Sequence, residues 1–233
     1  MYAIIGAMQS EVSLIREQME DVEKTEIGGS DFYAGTLFGK KAVLVKCGIG
    51  KVNAAMCTQI VIDRFGAEKI VNTGIAGGLA HGLKVGDIVI GASALQHDFD
   101  LSPVGYPKAC MRDEDRPGYT AYPGDPALRA LFKAAAVSVL GEEKVREGVI
   151  ASGDQFVASQ GLKEELRAQF DAAAAEMEGA AIAQVAEKNG RAAVIVRAIS
   201  DLADEGAYES VSNFEQTVAD VSAKIILEMM RNA

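Results

Sequence analysis

The sequence predicts an α/β fold with a mixed sheet, on three observations. Short apolar runs alternate with amphipathic segments from end to end. Several runs end in glycine or in a small polar residue, as strands do where they enter turns. No repeat, linker or break in composition divides the 233 residues, so one domain spanning 1–233 is the economical reading. The hydrophobic share is 49% and the charged share 24%, enough apolar material for a core and too much for a disordered chain. The net charge of −10 argues against a nucleic-acid surface. No uncharged apolar stretch is long enough to span a membrane, and the first residues lack the basic start of a signal peptide. Cys47, Cys57 and Cys110 have no metal-type spacing and are too few for a disulfide framework. We therefore expect a reduced, cytoplasmic, soluble protein.

The elements follow in order. Residues 2–7 read as a strand, and Ser10 as the cap of a helix over 11–20. Residues 32–38 and 42–47 flank Gly39 and read as a hairpin. Gly48-Ile49-Gly50 opens a helix over 51–65, with Gly66 just past its end. Strands follow at 69–73, running into Gly74-Ile75-Ala76-Gly77-Gly78, and at 87–95. Residues 102–125 carry Pro103, Pro107, Pro117 and Pro123 and form a long surface excursion. Pro126 suits the first turn of a helix over 126–140. Then come a short strand at 149–151, a helix at 161–170, a small apolar run at 172–177 and a helix at 178–188. A continuous apolar strand at 192–199 and an amphipathic helix at 213–230 complete the chain.

Ligands of α/β sheets sit beyond the carboxyl ends of strands. Those ends carry Glu11, Asp154, Glu178 and Asp201. Such a set suits a cation or a cation-like transition state. Gly48-Ile49-Gly50-Lys51-Val52-Asn53 lacks the third glycine of a dinucleotide fingerprint, and Ser152 and Ser200 lack a triad histidine. His97-Asp98-Phe99-Asp100 reads as an ordinary polar segment rather than a metal site.

Seven motifs occur in one order: Ile4-Ile5-Gly6-Ala7-Met8 with Glu11; Gly48-Ile49-Gly50-Lys51; Asn72-Thr73-Gly74-Ile75-Ala76-Gly77-Gly78; Lys84-Val85-Gly86-Asp87; Ser152-Gly153-Asp154; Glu176-Met177-Glu178; and Arg197-Ala198-Ile199-Ser200-Asp201. Together they resemble the bacterial 5′-methylthioadenosine/S-adenosylhomocysteine nucleosidases of the nucleoside phosphorylase superfamily. The resemblance covers nearly the whole chain. It implies a single-domain three-layer α/β/α fold around a central mixed sheet. It also implies hydrolysis of the bond between ribose C1′ and adenine N9, without cofactor or metal, in a homodimer. The partners would be a nucleoside and water, with no nucleic acid and no membrane. The competing readings are a hydrolase of another 5′-modified adenosine, such as aminofutalosine, and a purine nucleoside phosphorylase.

By the same resemblance, Asp201 is the acid toward adenine N7, with Ser200 hydrogen-bonded to its carboxyl. Glu11 activates the water, and Arg197 helps hold that water and carboxylate. Glu178 takes the ribose hydroxyls and Met177 packs on the sugar. Phe156 stacks on adenine, and Val157 offers its backbone to the purine edge. Met8 and Ile49 wall the sugar and 5′-substituent, and Ala76 and Gly77 lie in a loop behind ribose and base. The family pattern leaves Asp154 without a role. Ile75 stands where some members have a hydroxyl residue, and Val104 and Val211 stand where aromatics are expected near the 5′ pocket, with Tyr106 and Tyr208 close by in sequence.

Overall fold

In the computed structural model the described residues are 1–111 and 118–233. Pro117, part of the expected surface excursion, lies outside them. Among these described residues, eleven strands form one mixed sheet in the order β2-β3-β4-β1-β5-β11-β6-β10-β9-β7-β8. The first half comprises β1 (Tyr2–Gly6), β2 (Glu20–Ile27), β3 (Ser30–Leu37), β4 (Lys40–Lys46) and β5 (Lys69–Asn72). The second comprises β6 (Ile75–Gly78), β7 (Ile88–Gln96), β8 (Tyr122–Pro123), β9 (Val145–Ser152) and β10 (Ala172–Glu176). The long strand β11 (Ala192–Asp201) belongs to both.

Alternation along the strands sorts their side chains between two cores. Ala3 and Ile5 of β1, Val43 and Val45 of β4, and Ile195 of β11 face α2 (Lys51–Phe65) and α5 (Gly179–Lys188). Tyr2, Ile4, Ala42, Leu44, Val194 and Val196 face the opposite way. There they meet α1 (Gln9–Glu17), α3 (Pro126–Leu140) and α6 (Ala207–Asn232). The result is three layers. α4 (Gln160–Phe170) covers the outer end of β9 and β10 over a smaller cluster that includes Leu166 and Phe170.

The sheet is not open throughout. β11 pairs parallel with β5 through Ala192–Ile195, then parallel with β6 and antiparallel with β7. Because β7 also pairs with β9, the strands β11-β6-β10-β9-β7 close on one another. The carboxyl ends of β1, β5, β9, β10 and β11 therefore converge.

Sequence and structure differ in several places: β9 is longer than the strand expected at 149–151, α6 starts at Ala207 rather than 213, and β8 lies within the expected excursion at 102–125. The first helix begins at Gln9 with Met8 as its cap, so Ser10 lies inside it and donates to Glu215 at 2.7 Å. Residues 20–27 are a strand whose many charged side chains suit an exposed edge and mask its pattern. Residues 75–78, expected as a loop after the strand, form β6. The helices over 51–65 and 126–140 occur with the expected bounds; Gly66 closes the first in the left-handed region (φ 66°), and Asp125 caps the second through the Leu128 N–H at 2.9 Å.

Phe132 of α3 is fully buried between the sheet and α6. Phe132→Ala should destabilise the protein by about 3–5 kcal/mol, read as a fall in the urea midpoint with an unchanged slope. A midpoint within error of the wild type would contradict this packing.

Candidate active site

The converging strand ends enclose a cavity of about 230 Å³. Met8 and Glu11 come to it from the start of α1, and Ile49 from the turn before α2. Ala76 and Gly77 of β6 form one wall, with Ile75 beside them. Met177 and Glu178 arrive from the end of β10, and Ser200 and Asp201 from the end of β11. Phe156 and Val211 complete the mouth, where Ile49 is 54% and Phe156 51% exposed. Val157 lines a pocket of about 30 Å³ that shares Phe156, Met177 and Asp201 with the main cavity. Arg197 does not line the cavity; it is buried behind it. Val104 is exposed and outside it.

Glu11 is the third residue of α1. Its Oε2 accepts the Ala7 and Met8 N–H groups at 2.6 and 2.9 Å, and its Oε1 accepts the Ile75 N–H at 3.1 Å. A glutamate at this helix position reaching back to the cap N–H is a capping interaction. The contacts that cap the helix thus also aim the carboxylate into the cavity. Burial raises its pKa, opposed first by the Arg197 charge and then by these backbone donors. A Cβ at Gly74 would lie 2.8 Å from Glu11 Oε1 and 3.5 Å from Arg197 Cζ. Glycine is what lets the two charged groups sit this close across the strand end.

Asp201 is held on both oxygens. Ser200 Oγ donates to Oδ2 at 2.8 Å, and the Ala203 N–H donates to Oδ1 at 2.8 Å. Ala203 adopts a φ of 52°, unusual for a residue with a Cβ, and this local turn carries its N–H back to the carboxyl. Burial raises the Asp201 pKa; the two hydrogen bonds oppose it without cancelling it. Gly77 is required here as well, since a Cβ would come within 2.9 Å of Asp201 Oδ1.

Glu178 accepts the Gly50 N–H at 2.8 Å through Oε1. Gly50 has a φ of 98°, and that left-handed turn points its N–H at the carboxylate. Burial, and then the charge of Glu176, push the Glu178 carboxyl up to about 7; Arg197 and the Gly50 N–H pull the other way.

Arg197 makes its hydrogen bonds to Glu176, to Asn72 (Oδ1 at 2.5 Å and the backbone oxygen at 3.3 Å) and to the Val196 carbonyl at 2.8 Å, and none among the described residues to Glu11. It acts on Glu11 as a nearby charge. Asp154, left without a role by the sequence, lies outside the cavity and accepts the Lys51 N–H at 2.8 Å. Its own N–H donates to Asp98 at 2.9 Å, and Asp98 pairs with the Lys51 ammonium at 2.6 Å. This set ties the β7 and β9 ends to the start of α2 and so anchors the Gly48-Ile49-Gly50 turn.

Sequence reasoning missed Glu176, which reaches the cavity wall and the guanidinium together. The signal was its two-residue spacing from Glu178, which cannot say which carboxylate faces the ligand. Among the described residues no group of three or more His, Cys, Asp or Glu side chains is arranged to hold a metal ion.

Fold and site define an α/β protein with a pocket at converging strand ends that four carboxyl side chains line. A family model described as the phosphorylase superfamily matches residues 1–231. A 5′-methylthioadenosine/S-adenosylhomocysteine nucleosidase of Geobacillus kaustophilus is 44% identical over 98% of this chain and 95% of that protein. The crystal structure of the nucleosidase of the same name from Neisseria meningitidis, in complex with methylthio-immucillin-A, superposes with a TM-score of 0.93. It is 42% identical and covers 100% of this chain and 99% of that one. The native futalosine hydrolase of Helicobacter pylori has a TM-score of 0.92 at 36% identity, over 100% of this chain and 97% of that one. The chain belongs to the phosphorylase superfamily and, within it, to the family of 5′-methylthioadenosine/S-adenosylhomocysteine nucleosidases.

A crystal structure of Gly74→Ala should find the Glu11 carboxylate displaced and its bond to the Ile75 N–H broken, in an otherwise unchanged fold. A carboxylate left in place would show that the close approach does not depend on glycine.

Proposed function

We propose that this protein hydrolyses the N-glycosidic bond of 5′-methylthioadenosine and S-adenosylhomocysteine, releasing adenine and the 5′-thio-ribose. The observation that carries the reading is the opposition, within one cavity, of Asp201, held by the Ser200 hydroxyl and the Ala203 N–H, and the Glu11 carboxylate, fixed by three backbone N–H groups.

Cleavage leaves positive charge on the sugar and negative charge on the purine, so stabilisation is needed at both ends. Asp201 gives its proton to adenine N7, and Ser200 orients the carboxyl that does so. Glu11 takes a proton from water as that water attacks C1′. The paired carboxyl groups resemble the acid–base division of inverting glycosidases. Glu178 accepts hydrogen bonds from the ribose hydroxyls, and its charge favours the cationic sugar. Met177 packs on the sugar and Phe156 stacks on the base, with the Val157 backbone at the purine edge. Ala76 and Gly77 keep the wall behind them thin. Met8, Ile49 and Val211 bound the 5′ side. Arg197 supplies the positive charge that keeps Glu11 and Glu178 ionisable.

A second reading, hydrolysis of another 5′-modified adenosine such as aminofutalosine, draws support from the half-exposed Ile49 and Phe156 at the mouth and from the similarity to a futalosine hydrolase. Comparing kcat/KM for aminofutalosine and methylthioadenosine separates the two.

We also propose a homodimer whose partner closes the 5′ side. Exposed Val52 and Val104, 79% and 69% accessible, support it. On this reading the enzyme works in the cytoplasm in methionine salvage.

Adenine should be released from methylthioadenosine in phosphate-free buffer; a requirement for phosphate would mean a phosphorylase. Glu11→Gln and Asp201→Asn should each lower turnover about a hundredfold or more, the range of general acid–base catalysis. Near-wild-type turnover in either would remove that residue from its role. Sedimentation should give about twice the chain mass of 24.5 kDa. Val104→Phe should lower the preference for S-adenosylhomocysteine over methylthioadenosine by about tenfold. A fully active monomer, or an unmoved preference, would contradict the dimer-closed pocket.

A further inference from the structure

We propose that Glu176 is a positioning residue, whose buried carboxylate holds the Arg197 guanidinium off Glu178 and so leaves Glu178 free for the ribose hydroxyls. This rests on the nucleosidase reading above.

Glu176 is fixed by groups that do not move. It accepts the Gly179 N–H on both oxygens at 3.0 and 2.8 Å, the Glu178 N–H at 3.1 Å and the Ser152 hydroxyl. The two N–H donors stand at the start of α5, where the helix dipole favours negative charge, and Ser152 ends β9. So anchored, it binds Arg197 Nη2.

The same Nη2 lies 3.9 Å from Glu178 Oε2, too far for a hydrogen bond. Glu178 Oε2 accepts no hydrogen bond among the described residues, while its Oε1 holds only the Gly50 N–H. One carboxylate is thus saturated and keeps the guanidinium. The other faces the cavity with an open oxygen. An adjustment of about 1 Å would turn the 3.9 Å contact into a charge-assisted hydrogen bond and occupy that oxygen.

The groups facing Glu178 are Glu176 on β10, Arg197 on β11, Glu11 on α1, the Gly50 N–H before α2 and the Cys47 thiol after β4, which burial keeps protonated. Glu176→Gln removes a like charge and releases the guanidinium toward Glu178. Both changes favour ionised Glu178, so its pKa falls from about 7. Glu11 gains from the same guanidinium and moves in the same direction. The ascending limb of kcat/KM for methylthioadenosine, which reports groups that must be ionised, moves to lower pH by about one unit. KM at pH above the limb rises about tenfold, with kcat changed less. Glu176→Asp keeps the charge and leaves the limb near the wild-type position. Loss of packing alone would lower the rate at every pH with the limb in place.

The experiment is the pH profile of adenine release by wild type, Glu176→Gln and Glu176→Asp, with the pH dependence of methylthio-immucillin-A affinity as a readout independent of turnover. An unmoved limb and an unmoved affinity profile in Glu176→Gln overturn the proposal. Should that variant not fold, Arg197→Lys takes its place. A lysine keeps the charge but has no planar fork to span Asn72 and Glu176, so Glu176 alone must hold its ammonium, and the limb stays near the wild-type position. A limb moved to lower pH there, the ammonium having passed to Glu178, overturns the proposal. A wild type that releases no adenine refutes the nucleosidase reading instead.

Discussion

Arg197 is 1% exposed, bound to Glu176, with Glu178 at 3.9 Å and Glu11 facing it across Gly74. One buried positive charge therefore serves three carboxylates that come from β10, from the turn after it and from α1. Removing a buried charge from its partners is expensive, so this cluster constrains where those strand and helix ends can lie. Gly74 must be small to allow it, and Asn72 must offer both its oxygens to the guanidinium.

Asp201 stands apart from that cluster. Burial favours its protonated form, while Ser200 and the Ala203 turn fix its direction. Burial raises the pKa of Glu11 and of Asp201 alike; at Glu11 the Arg197 charge and three backbone N–H groups oppose it, at Asp201 chiefly the Ala203 N–H and the Ser200 hydroxyl. The fold brings these groups together by closing β11-β6-β10-β9-β7, which gathers strand ends far apart in sequence around one small volume.

Much of this was legible in the sequence. Continuous apolar strands, glycines after helices and Pro126 gave most element positions, because each reflects a local backbone or burial requirement. Glu11, Glu178 and Asp201 could be named because they follow glycine-rich or strand-terminal motifs whose order resembles a known family. What stayed hidden depends on tertiary placement. The strand at 20–27 carries charge on an edge, so its alternation is weak. β6 reads as a glycine loop until pairing with β10 and β11 makes it a strand. Glu176 and Glu178 look alike in sequence, and only the start of α5 decides which one is saturated. Asp154 has a structural task, and its motif position could not reveal that.

The proposed chemistry turns on the proton of Asp201, whose pKa burial raises. Infrared difference spectroscopy of wild type against Asp201→Asn at neutral pH measures it at the atom concerned. The account predicts a protonated-carboxyl C=O band that disappears in the variant. A spectrum in which the substitution removes only ionised-carboxylate bands would contradict it.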